Sequence, residues 1–251
     1  MFNSSNPVLS DNTFSSHGSS YERSSLMTIN GALLKTAFLL GLVVVSAAYA
    51  WYKTTTAATP STAYTLMMVG AIGGLIVGII TSFSPTISPF TSPIYALLEG
   101  LFLGALSCVI EGLHPGIAVQ AVGCTFGVFT IMLILYSTRI IKVTNTFIMC
   151  VMAATGGLML FYLIAFVSSF FFNYPFAVLS FENGGYISIG FSILVVGLAA
   201  LNLAMDFHFI ERGAQNGAPK HMEWYAAFAL TVTIVWLYFE ILRLLSKLKS
   251  D

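Results

Sequence analysis

The chain is poor in charge: Asp, Glu, Lys and Arg make up 8% of its 251 residues, against about 25% in an average soluble domain. That scarcity, with 57% hydrophobic residues and a mean hydropathy of +0.87, excludes a water-soluble globule. The 10 acidic and 10 basic side chains cancel, so no basic surface invites nucleic acid. The 3 cysteines, Cys108, Cys124 and Cys150, stand singly in apolar stretches without CxxC or Cys/His spacing. They read as small buried hydrophobes, not as metal ligands or redox groups. The partners left open are lipid, ion and protein.

Long apolar runs are what the chain has in abundance. A helix that crosses a bilayer takes about 20 mostly apolar residues, and runs of that order recur at Ala32 to Trp51, Tyr64 to Phe83, Ile94 to Ile110, Ile117 to Tyr136, Phe147 to Phe172, Gly185 to Met205, and Trp224 to Leu245. None alternates with the period of two expected of barrel strands. The expected class is an all-α, polytopic membrane protein with seven transmembrane helices in one domain, residues 32–251. Residues 1–31, rich in Ser and Asn, read as a mobile polar tail. Ala48 and Ala50 resemble a cleavage site, but a signal peptide does not trail such a tail, so the first helix is expected to stay uncleaved.

Punctuation between the runs adds detail. Pro85, Pro89 and Pro93 in "SFSPTISPFTSP" predict an extended connector that enters the third span with Pro93 near its first turn. Gly70, Gly74 and Gly78 share one face of the second span, and Gly100 and Gly104 one face of the third. Such rows let helix backbones approach closely in lipid. Arg23, Lys35, Arg139, Lys142, Arg212 and Lys220 fall on the N-terminal side and only Lys53 in the opposite loops, so the N-terminus is expected in the cytoplasm. Arg243, Lys247 and Lys249 then fall outside. Either the bundle overrides the last segment, or Glu240 and Arg243 interrupt it before it crosses.

Acids within the apolar runs are costly, about 2.5–3.5 kcal/mol at a helix centre, and mark ion or proton pathways. Glu99, Glu111, Asp206 and Glu240 are the candidates. Helix rise places Glu99 about 9 Å and Asp206 about 10 Å from the cytoplasmic side, with Glu240 at about 25 Å and Glu111 at about 27 Å. That is an inner tier of Glu99 and Asp206 and an outer tier of Glu240 and Glu111, with Arg243 beside Glu240. Each has a bland reading. Glu240 and Arg243 at i, i+3 can neutralise each other, Glu111 can sit at the interface, and Asp206 can cap a helix end. Glu211, Arg212 and Glu223 read as a solvated face. Paired acids in low dielectric hold a proton between them; ionised, they attract a hard cation such as calcium, which takes about six to eight oxygens. Two or three acids fill only part of that shell, so the binding expected is transient, as permeation requires.

The stretches "LNLAMDFHFIERG" and "EWYAAFALTVTIVWLYFEILRLLSKL", with "SNPVLS" near the start, resemble the Bax inhibitor-1 family, also called the TMBIM or YccA-like family, in its bacterial branch. The specific motifs lie within about the last fifty residues. The resemblance implies seven helices with the last near the bundle centre, a pH-sensitive calcium leak, and two acids as the pH sensor, in a bacterial plasma membrane. By motif position these are Asp206 and Glu240, the latter Glu where many relatives have Asp. They are the implied calcium ligands, with calcium and protons as permeant partners and no tightly bound cofactor. Some relatives carry an acid and an arginine in helix two; this chain carries neither there. The resemblance pairs Asp206 with Glu240, whereas helix rise sets them about 15 Å apart and leaves Glu99 level with Asp206. Both pairings stay open.

The other function class is a membrane interaction protein that modulates a membrane-bound protease or stress complex through the tail. An enzyme fits worst. A di-aspartyl intramembrane protease needs a second aspartate, and a retinal protein needs a lysine midway along the last helix, where Lys220 and Lys247 only flank it.

Overall fold

A computed structural model describes residues 26–57, 61–172, 176–182 and 185–250. Seven long helices account for nearly all of them: α1 (Ile29–Thr56), α2 (Ser61–Phe83), α3 (Ser88–Leu113), α4 (Ile117–Ser137), α5 (Asn145–Phe172), α6 (Tyr186–Gln215) and α7 (Met222–Lys249). All seven are long and apolar enough to cross a membrane. The all-α class expected from the apolar runs is therefore what the chain adopts. Two short 3₁₀ turns, Pro85–Ile87 and Ala177–Leu179, punctuate the connections.

Local chemistry sets the helix ends. Thr28 caps α1, its hydroxyl accepting from Gly31 N at 3.0 Å. Residues 1–25 of the expected tail lie outside the described residues. The rest of it belongs to the bundle: Leu26 bridges Pro219, Met27 N donates to Ala218 O at 2.7 Å, and Met27 is buried. The proline connector is shorter than expected. Its first residues wind into the 3₁₀ turn, and α3 already begins at Ser88 with a proline in its opening positions. Pro89 forfeits no intrahelical bond there, and Pro93 is carried inside the helix.

In the interior, α7 lies against α1, α3, α4 and α6. It is the most buried of the seven, with 61% of its most apolar window covered, against 11% for α5. The last helix thus occupies the bundle centre, and Glu240 and Arg243 do not interrupt it. Its 28 residues rise about 42 Å. The glycine rows act as packing faces. A Cβ on Gly70 would meet Leu98 O at 2.6 Å, and one on Gly100 or Gly104 would run into the carbonyls of Val43 or Ala47. Hence α3 is clasped between α2 and α1. Ser46 Oγ donates to Leu97 O at 2.6 Å across that contact, and Ser107 pairs with the Tyr238 hydroxyl at 2.7 Å. By contrast, α5 packs closely on α6 alone among the described helices. Its Met149, Leu163, Phe166 and Phe170 face outward, as lipid permits and water would not. Cys124 and Cys150, expected to be buried, also face outward; in a bilayer an apolar residue needs no protein cover.

Candidate functional site

The acids singled out in the sequence take up four separate settings. Glu111 ends α3 and folds over the turn into α4, accepting from Gly116 N at 2.6 Å and Ala118 N at 3.0 Å. Gly116 adopts φ +83° there, which suits glycine. The carboxylate satisfies donors that begin α4 and lies beside their partial positive charge. Its role is therefore local.

Glu99 turns toward α2. A Cβ on Gly74 would come within 2.7 Å of Glu99 Oε1, so the missing side chain of that glycine makes room for the carboxyl group. The Tyr95 hydroxyl, one turn earlier on α3, bonds to it. Among the described residues α3 and α6 have no close packing and neither acid figures among the other's neighbours, so the inner tier drawn from helix rise is not a contact between Glu99 and Asp206.

Asp206 lies on α6, facing α7, with the Thr233 hydroxyl as its hydrogen-bonding neighbour. That hydroxyl has a single proton, which also has Ala229 O within reach at 3.3 Å. Asp206 Oδ2 is shielded and has no hydrogen-bond partner. Asn202, one turn earlier on the same helix, donates to Thr155 Oγ1 and Leu198 O, both at 2.9 Å, so it is occupied. A buried carboxyl oxygen without a donor costs about 1–3 kcal/mol, and such atoms concentrate where a proton, ion or water is exchanged.

Glu240 is 1% exposed and fully engaged. Arg243 Nη1 donates to Oε1 at 3.2 Å and Oε2 at 3.0 Å, and the Tyr162 hydroxyl of α5 donates to Oε1 at 2.8 Å. The guanidinium lies over the Phe239 ring at 4.5 Å. The i, i+3 neutralisation that spacing allowed is thus formed. Since Thr233 marks the level of Asp206 on α7, Glu240, seven residues on, stands about 10 Å further along. Asp206 and Glu240 share the interface of α7 but are not in contact.

Four groups escaped the sequence reading, two of them, Glu223 and Lys247, fully buried. Glu223, expected on a solvated face, is fully buried. It accepts from Thr28 N at 2.9 Å, Thr28 Oγ1 at 2.8 Å and Lys220 at 3.0 Å, and pairs with Lys35. Glu211 likewise is not merely solvated: it pairs with Arg139 at 2.6 Å and with the Tyr136 hydroxyl, tying α4 to α6. Lys247, expected to flank the last helix, lies in its final turns with no exposed surface; Nζ donates to Val178 O at 2.6 Å, Ser192 Oγ at 2.8 Å and Ser188 O at 3.3 Å. Tyr162 was lost in a continuous apolar run. Lys247 was findable, because Glu240, Arg243 and Lys247 repeat at three and four and share one helix face.

Among the described residues no three His, Cys, Asp or Glu side chains converge as a metal cage. No curated protein and no solved structure matches the chain. A family model, Bax inhibitor 1 like, matches residues 6–250. That match, over nearly the whole length of a seven-helix chain whose last helix is the central one, makes this integral membrane protein a member of the Bax inhibitor 1 like family.

Proposed function

We propose that the protein is a cation leak, chiefly for calcium, whose conductance is set by the proton on Asp206. The observation that carries the reading is Oδ2 of that side chain, shielded where α6 packs on the central helix α7, with no hydrogen-bond partner. Its ionised form offers an oxygen to a passing hard cation, and its protonated form withdraws it. Glu240 is the second charged step along α7, held by Arg243, and Glu99 is a third on the α2 side. Calcium is cargo in this scheme, touching a few oxygens at a time.

The same reading sets the N-terminus in the cytoplasm of a bacterial plasma membrane. Lys35 and Lys220 meet at Glu223, and Arg139 meets Glu211. The cationic residues that favour the inside thus collect at one end of the bundle. Vesicles containing the full chain and a trapped calcium indicator test the proposal. Flux that varies with pH in the wild type and becomes flat in Asp206→Asn supports it; absence of flux at every pH defeats it.

A further inference from the structure

Between α5 and the far half of α7, closed above by the 3₁₀ turn at Ala177–Leu179, lies a cavity of about 1020 Å³. Most of its wall is apolar, from Phe166, Phe176 and Phe239, and it also presents Ser169, Glu182 and Arg243. A volume of this order holds a drug-sized or lipid-sized group, since ligand pockets run to about 300–1,000 Å³. The space exists because α5 packs closely on α6 alone among the described helices and meets α7 at this level through Tyr162, which bonds to Glu240 and Arg243.

Arg243 is 8% exposed, yet its Nε has no partner. Nη1 carries the whole of its bonding to Glu240 and Tyr162. One turn on, buried Lys247 donates only to neutral oxygens. Formal charges at this end of α7 are Arg243 +1, Lys247 +1 and Glu240 −1, a sum of +1, and buried charge calls for a partner. The setting of the cavity specifies where that partner comes from: its wall includes Phe166, which faces outward on the lipid side of α5.

We propose that this cavity binds an anionic phospholipid, with the headgroup phosphate on the free edge of Arg243 and an acyl chain along Phe166 and Phe176. Arginine matches phosphate through paired N–H donors, the apolar wall matches the chain, and the surplus positive charge selects an acidic headgroup over a zwitterionic one. The site shares Arg243 with the Glu240 step of the proposed leak but does not touch Asp206, so the two proposals fail separately.

Native mass spectrometry of the full chain in neutral detergent tests this with three probes: phosphatidylglycerol, phosphatidylcholine with the same acyl chains, and inorganic phosphate. One phosphatidylglycerol is expected to stay bound, with neither other probe retained. Glu240→Gln/Arg243→Gln removes the anion donor while leaving the sum of buried charge at +1, and Ser169→Trp fills the cavity without touching those residues. Each is expected to weaken phosphatidylglycerol retention by about tenfold or more. Equal retention of phosphatidylcholine, free phosphate binding as tightly as the lipid, or wild-type retention in both variants overturns the proposal. So does phosphatidylglycerol that binds Glu182→Gln but not the wild type, because Glu182 would then be the missing counter-charge.

Discussion

The two ends of α7 bury charge in opposite ways. At its start, Glu223 gathers Lys35, Lys220 and the cap of α1, and every partner comes from the tightly packed side of the bundle or the loop before α7. Lys35 and Lys220 keep 20% and 51% of their side chains exposed, so each cation retains access to water. At its far end Glu240 faces two cations that are both buried, beside a helix that packs on little else. The first arrangement is a fastener and is complete. The second carries an unmet donor and surplus charge, which is where a moving or exchangeable partner belongs. Asp206 lies between them, on the same central helix interface.

The largest expected effect comes from removing the acid where no water can replace it. Glu240→Gln leaves Arg243 and Lys247 without an acid, and a loss of about 3–5 kcal/mol is expected, read as a lowered unfolding midpoint in detergent. Glu223→Gln breaks more bonds but frees cations that can rehydrate, so a smaller loss of about 2 kcal/mol is expected in the same assay. If Glu223→Gln proves the more damaging, the contrast between the two ends is wrong.

The walls beside these ends are distinguished by a single methyl group. Gly104→Ala drives a Cβ into the Ala47 carbonyl, and overpacking of that kind costs about 1–3 kcal/mol. Gly157→Ala on α5 meets nothing within 4 Å and is expected to leave stability unchanged or raise it by up to about 1 kcal/mol, through helix propensity. Equal losses at both positions would mean that α5 is packed as firmly as α3.

Much of the architecture was legible because lipid imposes it. Uninterrupted apolar runs gave the seven helices, and the rows at Gly70 and Gly100 announced the faces on which α2 and α1 meet α3. Glu240 with Arg243 was visible from spacing alone. Glu223 was not, since Lys35 and Thr28 stand 188 and 195 residues away in the chain; a carboxylate beside a loop looks solvated until its partners fold over it. The prolines misled because Pro89 falls in the first turn of α3, where a missing N–H costs nothing, and Pro93 is carried inside the helix. Helix rise kept Asp206 and Glu240 at different levels, and the structure does the same, at about two turns.

The central claim is that Asp206, and not the already neutralised Glu240, reads the proton. Calcium flux into vesicles, followed across a pH series for the wild type, Asp206→Asn and Glu240→Gln, tests it most directly, with folded protein confirmed for each. The account predicts that the pH response vanishes in Asp206→Asn and persists in Glu240→Gln, whatever the change in absolute flux. A pH response kept by Asp206→Asn and abolished by Glu240→Gln would contradict it.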